Sequence, residues 1–263
     1  MHISSINNIQ SSNKFNPHFT SCTRIYKPET VTNKNIFSTD TVRTTSNIFR
    51  YDEDWNFLME YIMWNFVGID KVNIYSLGCS DGSEAYTYAM YIYDKLPENL
   101  LKKYTPIFAC DIDSEIIKAA KSGKINLSKY DIDNINIHLK HGKNYIKEKK
   151  GILKIKNNIT TNEKAYEIIP EIRKMVEFKQ SDILTELKKI EDEGNSVINI
   201  RNVFPYMSEK YANEVLETLA QKLKSGSIFV FGHYDHRIPN FRQRLHDLGF
   251  YSPVQNGNFV QKI

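Results

Sequence analysis

The stretch V-N-I-Y-S-L-G-C-S-D-G-S-E-A-Y-T-Y-A-M, Val72 to Met90, decides the fold of this chain. Its first half is a short apolar run of the kind that forms a buried parallel strand. Gly78 and Gly82 then permit a tight turn whose backbone a ligand can approach closely. After Gly82, apolar residues recur at helical spacing, so the turn leads into a helix N-terminus with unpaired backbone N–H groups. A polar ligand is expected at this turn.

Two functional interpretations fit the turn. The letters G-C-S-D-G match the G-x-S-x-G nucleophile elbow of α/β-hydrolases and also a nucleotide-binding glycine turn. No H-G-G-G-like oxyanion segment precedes the turn, as a hydrolase would require. A second apolar segment, Pro106 to Cys110, is instead followed by Asp111, and an acid at the end of the second strand accepts hydrogen bonds from ribose hydroxyls. The pattern favours a nucleoside cofactor, with a hydrolase or a purely structural turn as alternatives.

Composition limits the class of protein. With 263 residues, 41% hydrophobic and 25% charged, the chain suits one α/β domain with a small insertion. A net charge of +4 is modest for this length and does not by itself indicate a nucleic-acid-binding protein. Three cysteines without C-x-x-C spacing indicate a reducing compartment, and no metal site is predicted. No signal peptide or membrane span is evident, so we expect a soluble, cytoplasmic protein without membrane insertion.

The frame continues after the second strand with three apolar runs, Met175 to Phe178, Val197 to Ile200 and Ser227 to Phe231. Two terminal strands, Phe250 to Val254 and Asn258 to Ile263, are joined by a type I′ turn signal, Asn256-Gly257. The predicted fold class is therefore α/β and Rossmann-like. We expect an open, mostly parallel sheet closed by a C-terminal antiparallel hairpin, the class I methyltransferase topology.

Two segments depart from this regular alternation. Residues 1–41 are polar and are predicted to form a loosely ordered N-terminal arm, which leaves 42–263 as the main domain. Residues from about 124 to 172 are predicted to form an inserted antiparallel β-subdomain with strands near 136–139, 152–155 and 165–169. Between Lys140 and Lys156 there are seven lysines and a single acid, Glu148, which indicates either a solvated face or a docking surface for an acidic partner.

Six motifs resemble, in the same order and at similar spacing, the signatures of the chemotaxis-receptor glutamate methyltransferases, the CheR family. They are T-T-S-N-I-F-R, G-C-S-D-G-S-E-A-Y, A-C-D-I-D, E-I-R-K-M-V-E-F, I-R-N-V-F-P-Y-M and F-V-F-G-H. The resemblance covers roughly Thr41 to Ile263 and implies an S-adenosylmethionine-dependent methyltransferase that acts on glutamate side chains of a protein.

Carried over position by position, the resemblance also implies a site. Ser46 and Arg50 would meet the methionyl end of the cofactor, Glu84 another of its polar groups, and Asp111 the ribose. Asp182 and Ile183 would flank the adenine, Arg201 and Asn202 would lie beneath the sulfonium, and Tyr206 would lie beside the transferring methyl group. Thr44, Gly78 and Ile112 complete the predicted cofactor-binding set, and Arg201 and Tyr206 are the predicted catalytic residues.

Some positions differ from the family pattern. Asp182 stands where Asn is common, Pro205 precedes the tyrosine, and Tyr234-Asp235 replace a Ser-Glu pair. The N-terminal helical domain of the family has no counterpart in the polar first 40 residues.

These differences leave alternatives open for the methyl acceptor. One is a methyltransferase that acts on RNA or a small molecule, with the lysine-rich insertion as its binding surface. Another is a non-catalytic module that binds the cofactor or a partner. The chain lacks the N/D-P-P-Y tetrad of amino-group methyltransferases and a C-x-x-C catalytic pair, which disfavours nucleic acid. A protein substrate with acidic residues is the expected partner.

Overall fold

The computed structural model describes residues 46–150, 164–255 and 257–263, and the backbone of two short strands before them. The strands are β1 (Arg24–Tyr26), β2 (Val42–Thr44), β3 (Asn73–Leu77), β4 (Ile107–Asp111), β5 (Lys124–Leu127), β6 (Ile146–Glu148), β7 (Lys164–Ile168), β8 (Val176–Gln180), β9 (Ser196–Ile200), β10 (Ile228–Phe231), β11 (Phe250–Tyr251) and β12 (Phe259–Lys262). The helices are α1 (Trp55–Asn65), α2 (Ser83–Lys95), α3 (Glu98–Tyr104), α4 (Ser114–Ser122), α5 (Lys129–His138), α6 (Pro170–Arg173), α7 (Ile183–Leu187), α8 (Glu209–Lys222) and α9 (Phe241–Asp247).

A seven-stranded sheet forms the centre of the fold, in the order β11-β12-β10-β9-β3-β4-β8. Strands β10, β9, β3, β4 and β8 run parallel, and β12 pairs antiparallel with both β10 and β11. The predicted open, mostly parallel sheet with a C-terminal antiparallel hairpin is confirmed. Asn256, in the predicted type I′ turn of that hairpin, lies outside the described residues.

Helix α2, which follows the glycine turn, is buried over most of its length. Its Tyr88 is fully buried and meets the Trp55 ring of α1 edge to face at 5.4 Å between ring centroids. Burying an aromatic or aliphatic side chain of this size stabilises a fold by about 1.5–3 kcal/mol. The helix therefore fixes the glycine turn firmly against the sheet.

On the other face of the sheet, α8 contributes Val215, Leu216 and Leu219 to a second apolar cluster.

The insertion contains a three-stranded antiparallel sheet in the order β5-β7-β6, as the sequence predicts in outline. The strand predicted at 165–169 is confirmed as β7, and the one predicted at 152–155 lies outside the described residues. The strand predicted at 136–139 is wrong, because residues up to His138 belong to helix α5. Ser128 and Asp131 form a capping box that starts this helix.

The chain before residue 46 is described only at β1 and β2, which pair antiparallel with each other. The boundary between the predicted arm (1–41) and the main domain (42–263) stays a prediction. The last helix, α9, begins at Phe241, and Asn240 precedes it in a left-handed conformation with φ of 56°. In the described part of the chain, no helix combines the length and the apolar character needed to cross a membrane.

Candidate functional site

The glycine turn between β3 and α2 has the backbone geometry that the sequence predicts. Gly78 and Gly82 have φ of +77° and +84°, where a Cβ is strained. A Cβ on Gly82 would lie 2.7 Å from the Phe178 ring, so the turn also requires glycine for space. The N–H groups of Gly78 and Cys79 donate to the Cys110 carbonyl oxygen at 2.8 Å, which ties the turn to the end of β4.

Asp111 lies at the end of β4, directly beside this turn. Its Oδ2 accepts a hydrogen bond from Ser80 N at 2.9 Å, and its Oδ1 accepts one from Asp113 N at 3.1 Å. Although part of the residue remains exposed, burial of the carboxyl raises its pKa, and the two N–H donors oppose that rise. Each carboxylate oxygen has a second lone pair, so Asp111 can still accept hydrogen bonds from ligand hydroxyls.

A cleft of about 370 Å³ opens over the turn and the adjacent strand ends. The cleft lies at the carboxyl ends of parallel strands, where open α/β sheets bind ligands. The Ser80 hydroxyl is buried there and has no hydrogen-bond partner among the described residues. The lining residues are Ser46, Asn47, Arg50, Gly78, Cys79, Ser80, Glu84, Arg201 and Asn202.

Arg201 forms the floor of the cleft and joins three acids. Its guanidinium donates to Glu84 Oε2 at 3.1 Å and to Asp52 Oδ1 at 2.9 Å. Glu53 Oε2 is 3.7 Å away, and the Trp55 ring lies 5.2 Å from the guanidinium carbon. Burial alone would lower the pKa of Arg201, but the three carboxylates outweigh it and raise that pKa, so the group stays charged.

The acids of this cluster respond differently to their surroundings. Burial tends to raise the pKa of Asp52, but Arg201 and Arg50 more than offset it, so that pKa is lowered. Burial raises the pKa of Glu53 to about 7, which Arg201 only partly opposes. Three carboxyl groups thus face one guanidinium in a poorly hydrated place. Acidic side chains beside a cleft suit a ligand that carries positively charged groups.

The loop after β9 is shaped by a buried carboxyl group. Asp235 accepts hydrogen bonds from the backbone N–H groups of Gly232 at 2.6 Å, Asn202 at 2.7 Å and Phe204 at 3.2 Å. Burial raises the pKa of Asp235 to about 7, against the lowering effect of these donors. Asn202 adopts φ of 57° here, and its side chain accepts from Tyr234 N at 2.9 Å and donates to Asp52 at 3.4 Å.

Ile112, Asp182 and Ile183 are the residues predicted to lie at the adenine end of the cofactor. Ile183 is buried, and its Cδ1 would lie 3.4 Å from a Cβ on Gly78. Asp182 caps α7 by accepting from Thr185 N at 3.1 Å, and it also accepts from the Tyr211 hydroxyl. Its carboxylate is therefore already engaged within the protein. Ile112 follows Asp111 and accepts through its carbonyl from the Gln180 side chain at 3.2 Å.

The predicted methionyl end is formed by the loop before α1. Ser46 and Arg50 both line the cleft, whereas the side chain of Thr44 lies outside the described part of the chain. The carbonyl oxygen of Arg50 accepts from Trp55 Nε1 at 3.0 Å, which holds the loop to the first turn of α1. The cleft thus combines a cation, Arg50, with the acid-rich cluster around Arg201.

Tyr206 is set apart from the residues that line the cleft. It ends a 3-10 turn, Phe204–Tyr206, and is half-buried. Its N–H donates to the Val203 carbonyl at 3.0 Å, and Val203 lies close to Gly78 across the turn. The predicted catalytic role of Tyr206 therefore stays a prediction, as do the roles of the other residues of the site.

Sequence reasoning missed several residues that the structure places at the site. Asp52, Glu53 and Trp55 surround Arg201, yet in the sequence they look like an ordinary acidic helix start with an apolar stripe. The one feature of the sequence that could have indicated a role in the site is their position, two to five residues after Arg50. Asp235 was visible only as a change from the family pattern.

Residues 44–249 match the model of the family described as CheR methyltransferase, SAM binding domain. A chemotaxis protein methyltransferase of Borreliella burgdorferi is 27% identical over 169 residues, which cover 62% of this chain and 52% of the relative. One of Listeria monocytogenes is 23% identical over 189 residues, covering 71% and 63% of the two chains.

A third relative, chemotaxis protein methyltransferase 2 of Vibrio cholerae, is 23% identical over 193 residues, covering 70% of this chain and 60% of the relative. The match therefore spans about half to three-fifths of the length of these relatives. The family match covers well over half of the present sequence and includes the glycine turn, Asp111 and Arg201. The chain belongs to the CheR methyltransferase family and contains its S-adenosylmethionine-binding domain.

Proposed function

We propose that this protein transfers the methyl group of S-adenosylmethionine to the side-chain carboxylate of glutamate in a protein. The observation that carries the proposal is the charge arrangement of the cleft. Arg50 lines it together with Glu84 and Arg201, and Glu84 belongs to a cluster in which acids outnumber the guanidinium. S-adenosylmethionine carries one carboxylate and two cationic centres, which is the complement of this arrangement.

The residues present suit this cofactor along its whole length. Arg50 would pair with the methionyl carboxylate, and Glu84 with the methionyl ammonium group. Asp111 would accept hydrogen bonds from the ribose hydroxyls, and Ile112 and Ile183 would enclose the adenine. The Ser80 hydroxyl, which has no hydrogen-bond partner in the described part of the chain, gives the glycine turn a further polar group for the ligand.

The bound cofactor supplies a methyl group on a sulfonium leaving group, so the protein mainly has to align the acceptor with it. A glutamate side chain with an unperturbed pKa of about 4.3 is ionised at neutral pH. No general base is therefore required. His233 is the nearest histidine in sequence, and its backbone N–H donates to Asp52 at 3.4 Å. This contact fixes the backbone of His233 and does not involve its imidazole.

Tyr206 would orient the acceptor or the methyl group through its hydroxyl. Its hydroxyl has no hydrogen-bond partner among the described residues and is free to take one from a ligand. Two further tyrosines adjoin residues that line the cleft. Tyr51 follows Arg50, and a hydrogen bond joins its side chain to that of Tyr234, whose backbone N–H donates to the Asn202 side chain.

The insertion would carry the docking surface for the protein substrate. Lys147 and Lys150 are exposed there, and Lys149 pairs with Glu167 at 2.6 Å. The relatives are named chemotaxis protein methyltransferases, which supports a receptor-like protein as the acceptor. An RNA acceptor is the alternative that the same lysines would serve.

The test is incubation of a host-cell lysate with radiolabelled S-adenosylmethionine and the wild-type chain, followed by mild base. Carboxyl methyl esters release labelled methanol, whereas methyl groups on nitrogen do not. Release of methanol from the protein fraction is expected. Base-stable label, or label in the RNA fraction, would contradict the proposed acceptor. Binding of the cofactor without any transfer would identify a non-catalytic module.

A further inference from the structure

Helix α5 of the insertion contacts the loop that carries Arg50. Asn134 Nδ2 donates to the Phe49 carbonyl oxygen at 3.1 Å. Asn47 Nδ2 donates to Asp131 Oδ1 at 3.0 Å. The His138 ring stacks on the Phe49 ring with 4.8 Å between centroids and 17° between planes. The loop therefore rests against three successive turns of the insertion's helix.

These contacts hold a backbone conformation that is unfavourable on its own. Phe49 has φ of 48°, in the left-handed region that residues with a Cβ avoid. It is fully buried, and its N–H donates to Thr87 Oγ1 on α2 at 3.0 Å. Helix α2 thus binds the backbone N–H of Phe49, and α5 binds its carbonyl oxygen. Arg50 is the next residue, so its direction depends on both.

The polar groups of α5 that make these contacts are themselves buried. Asn134 is 8% exposed and Asp131 is 3% exposed. Because a buried carbonyl that loses its donor is costly, the loop has little freedom to leave α5 while the helix stays in place. Asp131 also accepts from Ser128 in the capping box, so the start of the helix and the loop share one carboxylate.

We propose that Asn134 and Asp131 are positioning residues for the methionyl end of the cofactor, acting through Arg50. The inference rests on the proposed function, in which Arg50 holds that end. It adds a link between the insertion and the site: the position of α5 reaches Arg50 through these contacts.

The test compares S-adenosylmethionine with a ligand that lacks its amino-acid group and the positive charge on its sulfur. Calorimetric dissociation constants are measured for S-adenosylmethionine and for 5′-methylthioadenosine, which lacks the amino-acid group. Asn134→Ala should weaken binding of S-adenosylmethionine about ten-fold and leave binding of 5′-methylthioadenosine within two-fold. The matched control is Asn136→Ala, an exposed asparagine on the same helix, which should change neither.

His138→Ala provides a second variant should Asn134→Ala fail to fold, since it removes the stack on Phe49 without unpairing the buried carbonyl. It should also weaken binding of S-adenosylmethionine more than binding of 5′-methylthioadenosine, by a smaller factor than Asn134→Ala does. Equal weakening of both ligands, or unchanged binding of both, would overturn the positioning role. Absence of S-adenosylmethionine binding by the wild-type chain would overturn the proposed function itself, a result distinct from either.

Discussion

Arg201, at the end of β9, donates a 3.1 Å hydrogen bond to Glu84 in the first turn of α2, 117 residues earlier in the chain. The same guanidinium reaches Asp52, 149 residues earlier. One buried cation thus joins the loop before α1, the glycine turn and the end of a central strand. Arg201 therefore also holds together the three parts of the chain that form the site.

Replacement of Arg201 by Gln should strongly destabilise the fold. It would leave the carboxylates of Asp52 and Glu84 buried without their cation, a change that typically costs about 3–5 kcal/mol. Urea unfolding measures this loss. Lys118→Ala is the control, since its pair with Glu115 is exposed on α4 and should contribute less than about 1 kcal/mol. Equal effects of the two variants would contradict the buried-centre account.

The raised pKa of Glu53 should make stability fall as pH rises from about 4.5 to 7, whereas the lowered pKa values of His138 and His236 act in the opposite direction below about 6.5. Glu53 has a folded-state pKa of about 7 against an ordinary 4.5, so in this window the folded protein keeps a proton that the unfolded chain loses. One such group contributes a slope of up to about 1.4 kcal/mol per pH unit. Glu53→Gln is uncharged throughout and should flatten the dependence.

Asp235 acts in the same direction, because burial raises its pKa to about 7 as well. Glu53→Gln should therefore remove only part of the slope, and the double variant with Asp235→Asn should remove more. The measurement is urea unfolding at several pH values between 5 and 8. A single Glu53→Gln variant with the wild-type slope would show that Glu53 ionises normally in the folded state.

Asp111→Ala should weaken binding of S-adenosylmethionine by about 1–3 kcal/mol, the cost of losing a charge-assisted hydrogen bond to the ribose. Calorimetry gives the change directly. Asp133→Ala, which removes an exposed acid from α5, should leave the affinity unchanged. Wild-type affinity in Asp111→Ala would remove the ribose role.

The sequence predicted the elements around this site that can be recognised from residues close together in the chain. The glycine turn, Asp111 and the end of β9 follow apolar runs whose periodicity is visible within a few residues. The Arg201 cluster was not predictable, because it joins side chains more than 100 residues apart.

Helix α5 shows a different kind of error. The letters I-N-I-H-L alternate like a strand, yet Ile135 and Leu139 are buried four residues apart while Ile137 is 70% exposed. The buried residues therefore follow the four-residue spacing of a helix, and the alternation in the letters does not reflect a strand. The capping box of Ser128 and Asp131 was the local signal of a helix at this point.

Tyr206→Phe should keep cofactor affinity and lower turnover. Loss of one positioning hydrogen bond worth about 1.4–2.7 kcal/mol in the transition state corresponds to one to two orders of magnitude in rate. Steady-state kinetics on a verified acceptor, with calorimetry on the cofactor, separates the two effects. Wild-type turnover would exclude the Tyr206 hydroxyl from the reaction.

Charge reversal of Lys147 and Lys150 to Glu should weaken association with the protein substrate and reduce its dependence on salt. Lys149 is left in place because it pairs with Glu167. Reversal of Lys121 and Lys210, exposed lysines outside the insertion, is the matched control. If both double variants bind the substrate like the wild type, the lysines of the insertion form only a solvated face.

We expect this cleft to hold S-adenosylmethionine with its charged end between Arg50 and Glu84. A crystal structure of the chain with S-adenosylhomocysteine tests it most directly. We predict the carboxylate within hydrogen-bond distance of Arg50, the ribose on Asp111 and the adenine beside Ile112 and Ile183. A ligand bound elsewhere, or bound here with its carboxylate away from Arg50, would contradict the account.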